Sequence, residues 1–458
     1  MQDESLFAFE ALPSGPDQSL GFPAFLEPGQ AVTVALAAQV QHTQWWPLER
    51  IRAAQLQQLQ SLVQHAARTT RRGRKHFGQL ADQPLTWERW RQVPITSRAA
   101  LQGQPRKFLS NAVPKTHGPV GTVSTSGSTG RPVVVHRTAA TSLIWRVMTA
   151  RNNQWHRHDT HKVLGTVRHA PEAPPPRGRT ATTWGAAAKL FGGTGGCEIL
   201  HIGASTEQQL AWLQSRKVHY LLMYPSSLRD LLHLCEERGV TFPDLVAIKT
   251  FGEVLSPNLR ALVREQWGLP IVDMYSTTEV GYIALQCPKH DHFHVVSEAV
   301  HVEVVREDGS ACAVGEVGRL LVTPLHNYAM PLLRYDVGDL AVMGEPCDCG
   351  RGLPVLQRVL GRVRHTFVTA DGARIWLTMG AHKFASLAPI VQYQFVQKKA
   401  GSLQARFVTK RPHTPAEADA ILAHLNKKAP PGTDISIAWV DHIPRTARGK
   451  FLDFVSEL

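Results

Sequence analysis

From Val123 to Val133 the chain reads Val-Ser-Thr-Ser-Gly-Ser-Thr-Gly-Arg-Pro-Val, and seven of the eight residues from Ser124 to Arg131 are Ser, Thr or Gly. Small side chains let backbone N–H groups and hydroxyls close around phosphate oxygens, and glycine supplies the turns such a cradle needs. Arg131 adds a positive charge. The spacing is not that of the Walker loop, which ends in Gly-Lys-Ser/Thr. A flexible linker is the alternative, but the β-branched flanks Val123 and Val133-Val134-Val135 argue for strands on either side, so phosphate binding is expected. A second concentration of chemistry is Cys287, with His290, His292 and His294 close behind it, and then Cys347-Asp348-Cys349-Gly350. Three thiols and one imidazole make a closed tetrahedral zinc site, structural rather than catalytic because no position is left open. The spacing does not choose among the three histidines, and free thiols are the alternative. Cys197, Cys235 and Cys312 lack such company and are expected to be ordinary buried or half-buried thiols.

The elements around these residues follow from apolar periodicity. Residues from about Gln30 to Gln92 read as helices rich in Gln, Leu and Arg, with helical spacing at Leu56, Leu59, Leu62 and Val63. The Trp45-Trp46 pair is expected in core packing. Pro94-Ile95-Thr96-Ser97 offers a helix start with Thr96 or Ser97 as cap. Short apolar strands then alternate with helical stretches: Lys162–Gly165, Tyr220–Tyr224 and Pro270–Met274 against Leu228–Cys235 and Leu259–Val263. Such alternation implies an α/β core with parallel strands. The proline-dense stretch Ala170–Arg179 must be a loop. From His294 to Val322 the pattern turns β-rich, and the end of the chain is mixed again, with a helix from Pro415 and a strand from Asp434. The fold expected is α/β: a large N-terminal domain, residues 1–361, with a mixed core and a β-rich part, and a small mobile α+β domain, residues 362–458.

The loop Thr125–Pro132 resembles the phosphate-binding loop of the adenylate-forming superfamily, which includes the acyl-CoA synthetases and adenylation domains. Further stretches of the chain are similar to that family's motifs, in the family's order. The resemblance implies that Thr125, Ser126, Gly127, Ser128, Thr129, Gly130 and Arg131 contact ATP phosphates. Phe251-Gly252-Glu253-Val254-Leu255-Ser256 looks like the segment that packs on adenine, through Gly252 and Glu253. Asp273-Met274-Tyr275-Ser276-Thr277-Thr278-Glu279 is similar to the family's Tyr-Gly-x-Thr-Glu. Tyr275 would stack on the adenine, Thr278 would touch the α-phosphate, and Glu279 would hold Mg²⁺, a cation that wants hard oxygen ligands beside phosphates. Ser276 stands where the family has glycine. Leu333–Asp339 resembles Arg-Tyr-x-Thr-Gly-Asp, so Asp339 would accept from both ribose hydroxyls, while Asp336 caps a turn. Gly361-Arg362 looks like the hinge motif, with Arg362 near the ribose, but the usual acidic pivot is absent from Arg362-Val363-Arg364-His365. Pro444-Arg445-Thr446-Ala447-Arg448-Gly449-Lys450 is similar to Pro-Arg-Thr-x-x-Gly-Lys. Lys450 would bridge the acid's carboxylate and the α-phosphate, neutralising charge on the pentavalent centre.

Within that family the resemblance is to the phenylacetate–CoA ligase branch, on Val93–Thr96, Met330–Tyr335 and Cys347–Arg351. It implies an AMP-forming acid–CoA ligase and favours His294 as the fourth zinc ligand beside Cys287, Cys347 and Cys349. It also implies an aromatic or aryl-acetic acid, with Tyr220, Tyr224, Ser226 and Phe251 as candidate pocket walls. Expected partners and cofactors are ATP, Mg²⁺, a small-molecule carboxylic acid, coenzyme A and structural Zn²⁺. A carrier-protein thiol or an amine is the alternative acceptor, and a non-enzymatic zinc-stabilised basic binding protein the remote one.

Composition is that of a globular protein rather than a disordered one. The chain has 458 residues, 43% apolar and 19% charged, which is long for one domain and apolar enough for a substantial core. No run of apolar residues reaches the length of a transmembrane helix. The start Met1-Gln2-Asp3-Glu4 lacks the basic and apolar segments of a secretory signal, so a cytoplasmic location is expected. The net charge is +13, densest at Arg68–His76. No aromatic stacking platform interleaves with that run, so a solvated basic surface or binding of phosphorylated ligands is expected rather than nucleic acid.

Overall fold

The computed structural model describes residues 12–13, 20–25, 28–125, 132–190, 192–362, 367–375, 377, 379, 383–446 and 451–458. The elements read from sequence map onto it closely in type. A 12-stranded sheet runs in the order Val300–Val305, Val317–Pro324, Tyr335–Met343, Val355–Arg362, Phe293–Val295, Gly281–Gln286, Ile271–Thr277, Ala247–Phe251, Tyr220–Met223, Leu164–Arg168, Cys197–His201, Arg179–Ala181. The five strands from Ile271–Thr277 to Cys197–His201 pair in parallel. The strands on the Gly281–Gln286 side pair antiparallel, which accounts for the β-rich pattern after His294. One face of the parallel part is sealed by the helices Thr206–Gln214, Pro225–Arg238 and Pro257–Trp267, through a core that includes Leu221, Met223, Leu228, Ile248 and Val263. The Ala139–Trp155 helix packs against the antiparallel part through Val147 and Met148.

Local sequence sets these bounds. Ser256 caps its helix by accepting from the Leu259 N–H, Pro257 opens it, and Gly268 closes it in the left-handed region. Ser97 caps the Arg98–Gly103 helix in the same way. The Leu48–Thr69 helix buries Ile51, Leu59, Leu62, Val63 and Ala66 on one stripe. Residues 170–178 form a loop, as their prolines require. Trp45 departs from the core-packing expectation: it is 51% exposed, with the Arg351 guanidinium 4.7 Å above its ring, while Trp46 packs against the core. The chain places its apolar demand at that point on Trp46 and leaves Trp45 as a cation–π platform.

The Val355–Arg362 strand ends the large sheet. Beyond it, the strands Asp434–Trp439, Ser402–Thr409, Ile390–Gln397 and Phe454–Ser456 form a separate four-stranded sheet. The Pro415–Lys428 helix, opened by a Thr414/Glu417 capping box, packs on this sheet over a core of Phe367, Phe384, Phe407, Ile421 and Leu425. The architecture is thus a large, sheet-rich α/β region followed by a C-terminal α+β region. Among the described residues no helix is long and apolar enough to cross a membrane.

Candidate active site

In open α/β sheets, ligands bind outside the carboxyl ends of the parallel strands. Three of the motif segments gather there: Tyr224–Ser226, Phe251–Glu253 and Tyr275–Glu279 follow or end the strands Tyr220–Met223, Ala247–Phe251 and Ile271–Thr277. Gly252 turns the chain with φ +75°, a conformation that L side chains rarely adopt. At Ser276, where the resemblance implies glycine, the ladder to Gly281–Gln286 shifts register between Tyr275 and Ser276.

The phosphate-loop candidates Ser126, Gly127, Ser128, Thr129, Gly130 and Arg131 lie outside the described residues. Their neck is described. Val120–Ser124 and Val134–Thr138 form a hairpin, extended by Thr125 N–H donating to the Val133 carbonyl at 2.9 Å. The buried Thr125 hydroxyl accepts from Val133 N–H at 2.8 Å and from Arg98 Nη2 at 3.2 Å. Arg98 also pairs with buried Glu279, which the Tyr335 hydroxyl approaches at 3.4 Å. Arg137, on the second hairpin strand, donates to the Thr278 carbonyl. Two guanidiniums thus flank the Thr278-Glu279 turn, a suitable field for phosphate oxygens.

Tyr275 and Asp339, assigned to adenine and ribose, are also brought together. The Tyr275 hydroxyl donates to Asp339 Oδ2 at 2.5 Å, and Asp339 is 5% exposed. Asp336 behaves as a turn cap, accepting from Gly338 N–H at 2.9 Å and from Arg319 Nη2 at 2.7 Å. Arg362 pairs by backbone with Asp339 across the sheet.

Glu253 makes a different connection. Its Oε2 accepts from Ser226 N–H at 2.9 Å, and its Oε1 accepts from the Ser226 hydroxyl at 3.1 Å and from Phe451 N–H at 2.7 Å. The residue is partly exposed, but its carboxylate is enclosed by these donors, and burial pushes its pKa above the usual carboxylate range. Arg445 reinforces the contact, donating to Ser226 Oγ and to Asp230 Oδ2, each at 2.6 Å. The C-terminal segment is therefore pinned at the strand ends on both sides of residues 447–450. Lys450 itself lies outside the described residues, as do Arg364 and His365.

The four pocket candidates divide. Tyr224 and Phe251 pack ring to ring at 4.7 Å, beside Ser226 at the strand ends. Tyr220 lies deeper, buried against His158 and Trp184 at ring distances of 5.1 and 5.0 Å.

The cysteine cluster is assembled from distant parts of the chain. Ligand atoms of Cys287, His294, Cys347 and Cys349 all lie within 4.8 Å of one another. The Cys287 and Cys347 sulfurs are 3.8 Å apart, and Cys349 Sγ is 3.2 Å from His294 Nε2. Sulfurs about 2.3 Å from a tetrahedral ion would stand about 3.8 Å apart, so the donor set and its spacing fit zinc. Burial holds His294 down to about 4, keeping the imidazole neutral as a ligand must be. Its Nδ1 faces the Leu353 carbonyl at 3.4 Å. His290 instead contacts Asp348 at 2.5 Å, in a more exposed grouping with Cys347. Cys197 and Cys235 are buried thiols pushed up to about 11, and Cys312 is half-buried.

Sequence reading missed Arg98, Arg137 and the Glu253–Phe451 contact. Arg98 carried one signal, its place just after a helix cap. The others carried none, since their partners are far away in sequence.

Comparison with known proteins bears on this geometry. Residues 367–457 match the family of CapK C-terminal domains. The chain is 26% identical to phenylacetate-coenzyme A ligase of Thermus thermophilus over 375 residues, 78% of this chain and 80% of that protein. It is 25% identical to the phenylacetate-coenzyme A ligase of Escherichia coli over 384 residues, 78% and 82% of the two chains. In fold it is similar to 2-hydroxyisobutyryl-CoA ligase in its postadenylation state. That match has TM-score 0.71 and 17% identity, and covers 91% of this chain and 92% of that one. The same ligase in its thioesterification state gives TM-score 0.57 at 19% identity, over 89% and 90%.

Proposed function

The chain belongs to the adenylate-forming superfamily, in its phenylacetate–CoA ligase-like branch, and on that premise we propose that it uses ATP to convert a carboxylic acid to an acyl-adenylate and passes the acyl group to coenzyme A. The observation that carries this reading is the convergence at one set of strand ends. Tyr275 meets Asp339, Glu279 meets Arg98 at the neck of the Ser/Thr/Gly loop, and Glu253 holds Phe451, the neighbour of Lys450.

In this reading Tyr275 and Gly252 bind the adenine and Asp339, with Arg362, the ribose. Thr125 to Arg131 and Thr278 hold the phosphates, helped by Arg98 and Arg137. Glu279 is the oxygen ligand for Mg²⁺, which screens phosphate charge when bound. Lys450 offsets the negative charge that builds as the acid's carboxylate attacks the α-phosphorus. Glu253 and Arg445 position the segment that carries this lysine. Tyr224, Ser226, Phe251 and Tyr220 line the path of an aromatic or aryl-acetic acid. The chain acts as two units, residues 1–361 and 362–458, a division supported by the separate sheet and core beyond Arg362. Cys287, His294, Cys347 and Cys349 hold one structural zinc, tying the turn before Val355–Arg362 to Cys287 and the Phe293–Val295 strand.

The test is ATP–pyrophosphate exchange with a panel of acids, followed by addition of coenzyme A to the loaded enzyme. Acid-dependent exchange and rapid acyl-CoA formation are expected. Absence of exchange with every acid refutes adenylation. An adenylate that persists with coenzyme A but is consumed by an amine or a carrier-protein thiol refutes the choice of acceptor alone.

A further inference from the structure

Parallel strands buried on both faces are normally apolar throughout. The Ala247–Phe251 strand breaks this rule at its midpoint with Lys249, 5% exposed between Leu222 and Val272 of its neighbours. Its ammonium donates to Asn153 Oδ1 at 2.8 Å and to His158 Nδ1 at 3.1 Å, and lies 5.5 Å from the centre of the Trp184 ring. No ion pair to Lys249 occurs among the described residues. The nearby Asp159 is exposed, its carboxylate accepting from His161 N–H at 3.0 Å. Asp273, on the neighbouring strand, accepts from the Thr250 hydroxyl at 2.7 Å, and Thr250 alternates to the face opposite Lys249.

The donors outnumber the acceptors. An ammonium has three N–H groups, and two are used. His158 Nδ1 faces Lys249 Nζ at 3.1 Å and, at a longer 3.4 Å, Asn153 Oδ1, while its buried Nε2 has no partner among the described residues; with Nδ1 accepting from Lys249, the proton of the neutral ring falls on Nε2. His158 is itself 9% exposed. A buried cation without a counter-ion, beside a buried N–H without an acceptor, is costly in a purely structural role. An oxygen-rich ligand group would satisfy both.

The cluster lies deeper along the same strand than Phe251 and touches one of the pocket candidates. Lys249 is two residues inward from Phe251 on the same strand, about 7 Å from the level of the strand end. Tyr220, one of the pocket candidates, packs directly on His158, and Trp184 packs on Tyr220. We propose that Lys249 and His158 form the far end of the acid-binding pocket and bind a second acceptor group, a carboxylate foremost, on the acid being activated. This rests on the adenylation reading above and names its substrate class: acids with a distal anionic group.

The experiment compares exchange with acids in matched pairs, phenylacetate against 4-carboxyphenylacetate and hexanoate against adipate. The native protein is expected to prefer the dicarboxylic member at least about 30-fold in kcat/KM, about 2 kcal/mol at roughly tenfold per 1.4 kcal/mol. Lys249→Met should bring the ratio to within about threefold of unity or invert it, while Lys249→Gln, which keeps a donor, should fall between. A merely structural lysine would lower the melting temperature when replaced and leave the ratio where it was, and that result overturns the proposal. Should neither variant fold, equal or better use of the apolar member by the native protein overturns it. Exchange with apolar acids alone sinks this inference and spares the adenylation reading, whereas no exchange with any acid sinks both.

Discussion

Replacing Glu253 with Gln tests whether the C-terminal segment is held for adenylation by the contact seen at Phe451. The carboxylate accepts three hydrogen bonds on two oxygens: Ser226 N–H on Oε2, and Ser226 hydroxyl and Phe451 N–H on Oε1. An amide keeps one oxygen only. If that oxygen stays with Ser226 N–H, at the start of the Pro225–Arg238 helix, the amide NH₂ faces Phe451 N–H, donor against donor. The Ser226 hydroxyl can rotate to suit this arrangement and the helix N-terminus favours it. Reversal would restore Phe451 at the expense of the helix end. The first arrangement should win, so the loss falls on docking. One charge-assisted hydrogen bond contributes about 1.5–3 kcal/mol. Losing about 2 kcal/mol from the docked arrangement lowers its population about 30-fold. ATP–pyrophosphate exchange should drop by that order, while the melting temperature moves by only a few degrees. With the contact serving adenylation alone, as proposed, preformed acyl-adenylate should still react with coenzyme A at close to the native rate. Exchange within twofold of the native rate would refute the docking role.

Three further outcomes are expected. Lys450→Ala should abolish most adenylation, by about 10²–10³-fold, with ATP binding retained, as measured by pyrophosphate release and nucleotide titration; near-native turnover removes Lys450 from the chemistry. Elemental analysis should find one zinc per chain, lost with a fall in melting temperature in Cys349→Ser; zinc that survives His294→Ala would shift the fourth ligand to His290 or His292. Lys249 also has a pH signature, since burial lowers its pKa from 10.5 to about 7. Between those values the unfolded chain binds the extra proton, so native stability relative to Lys249→Met should rise as pH goes from 7 to 10; a flat difference in urea melts across that window would show that Lys249 is not desolvated.

Features written in local sequence were legible, and those made by long-range convergence were not. The helical apolar spacing at Leu56, Leu59, Leu62 and Val63 and the alternation of strand and helix are short-range devices, so element type could be read from them. Boundaries were less exact. The strand expected at Lys162–Gly165 runs Leu164–Arg168, because pairing with Cys197–His201 and Tyr220–Met223 selects its ends. Motifs placed the nucleotide-site candidates for the same reason, each being a short run at the end of one strand. What holds them in place was invisible. Arg98 finds Glu279 across 181 residues, and Phe451 finds Glu253 across 198. No periodicity specifies such a pair, since it depends on which strands become neighbours. Lys249 is the instructive case. Its partner His158 is 91 residues away and could not be foreseen, yet a lysine inside Ala-Ile-Lys-Thr-Phe was already a conflict between local pattern and a buried strand. Natural chains keep such conflicts mainly where function requires them. That makes the one charged residue in this strand a better guide to the acid than the aromatic walls around it. Aromatic rings pack well against many acyl groups, whereas a buried ammonium and an unpaired imidazole N–H discriminate steeply against an acid with nothing to offer them.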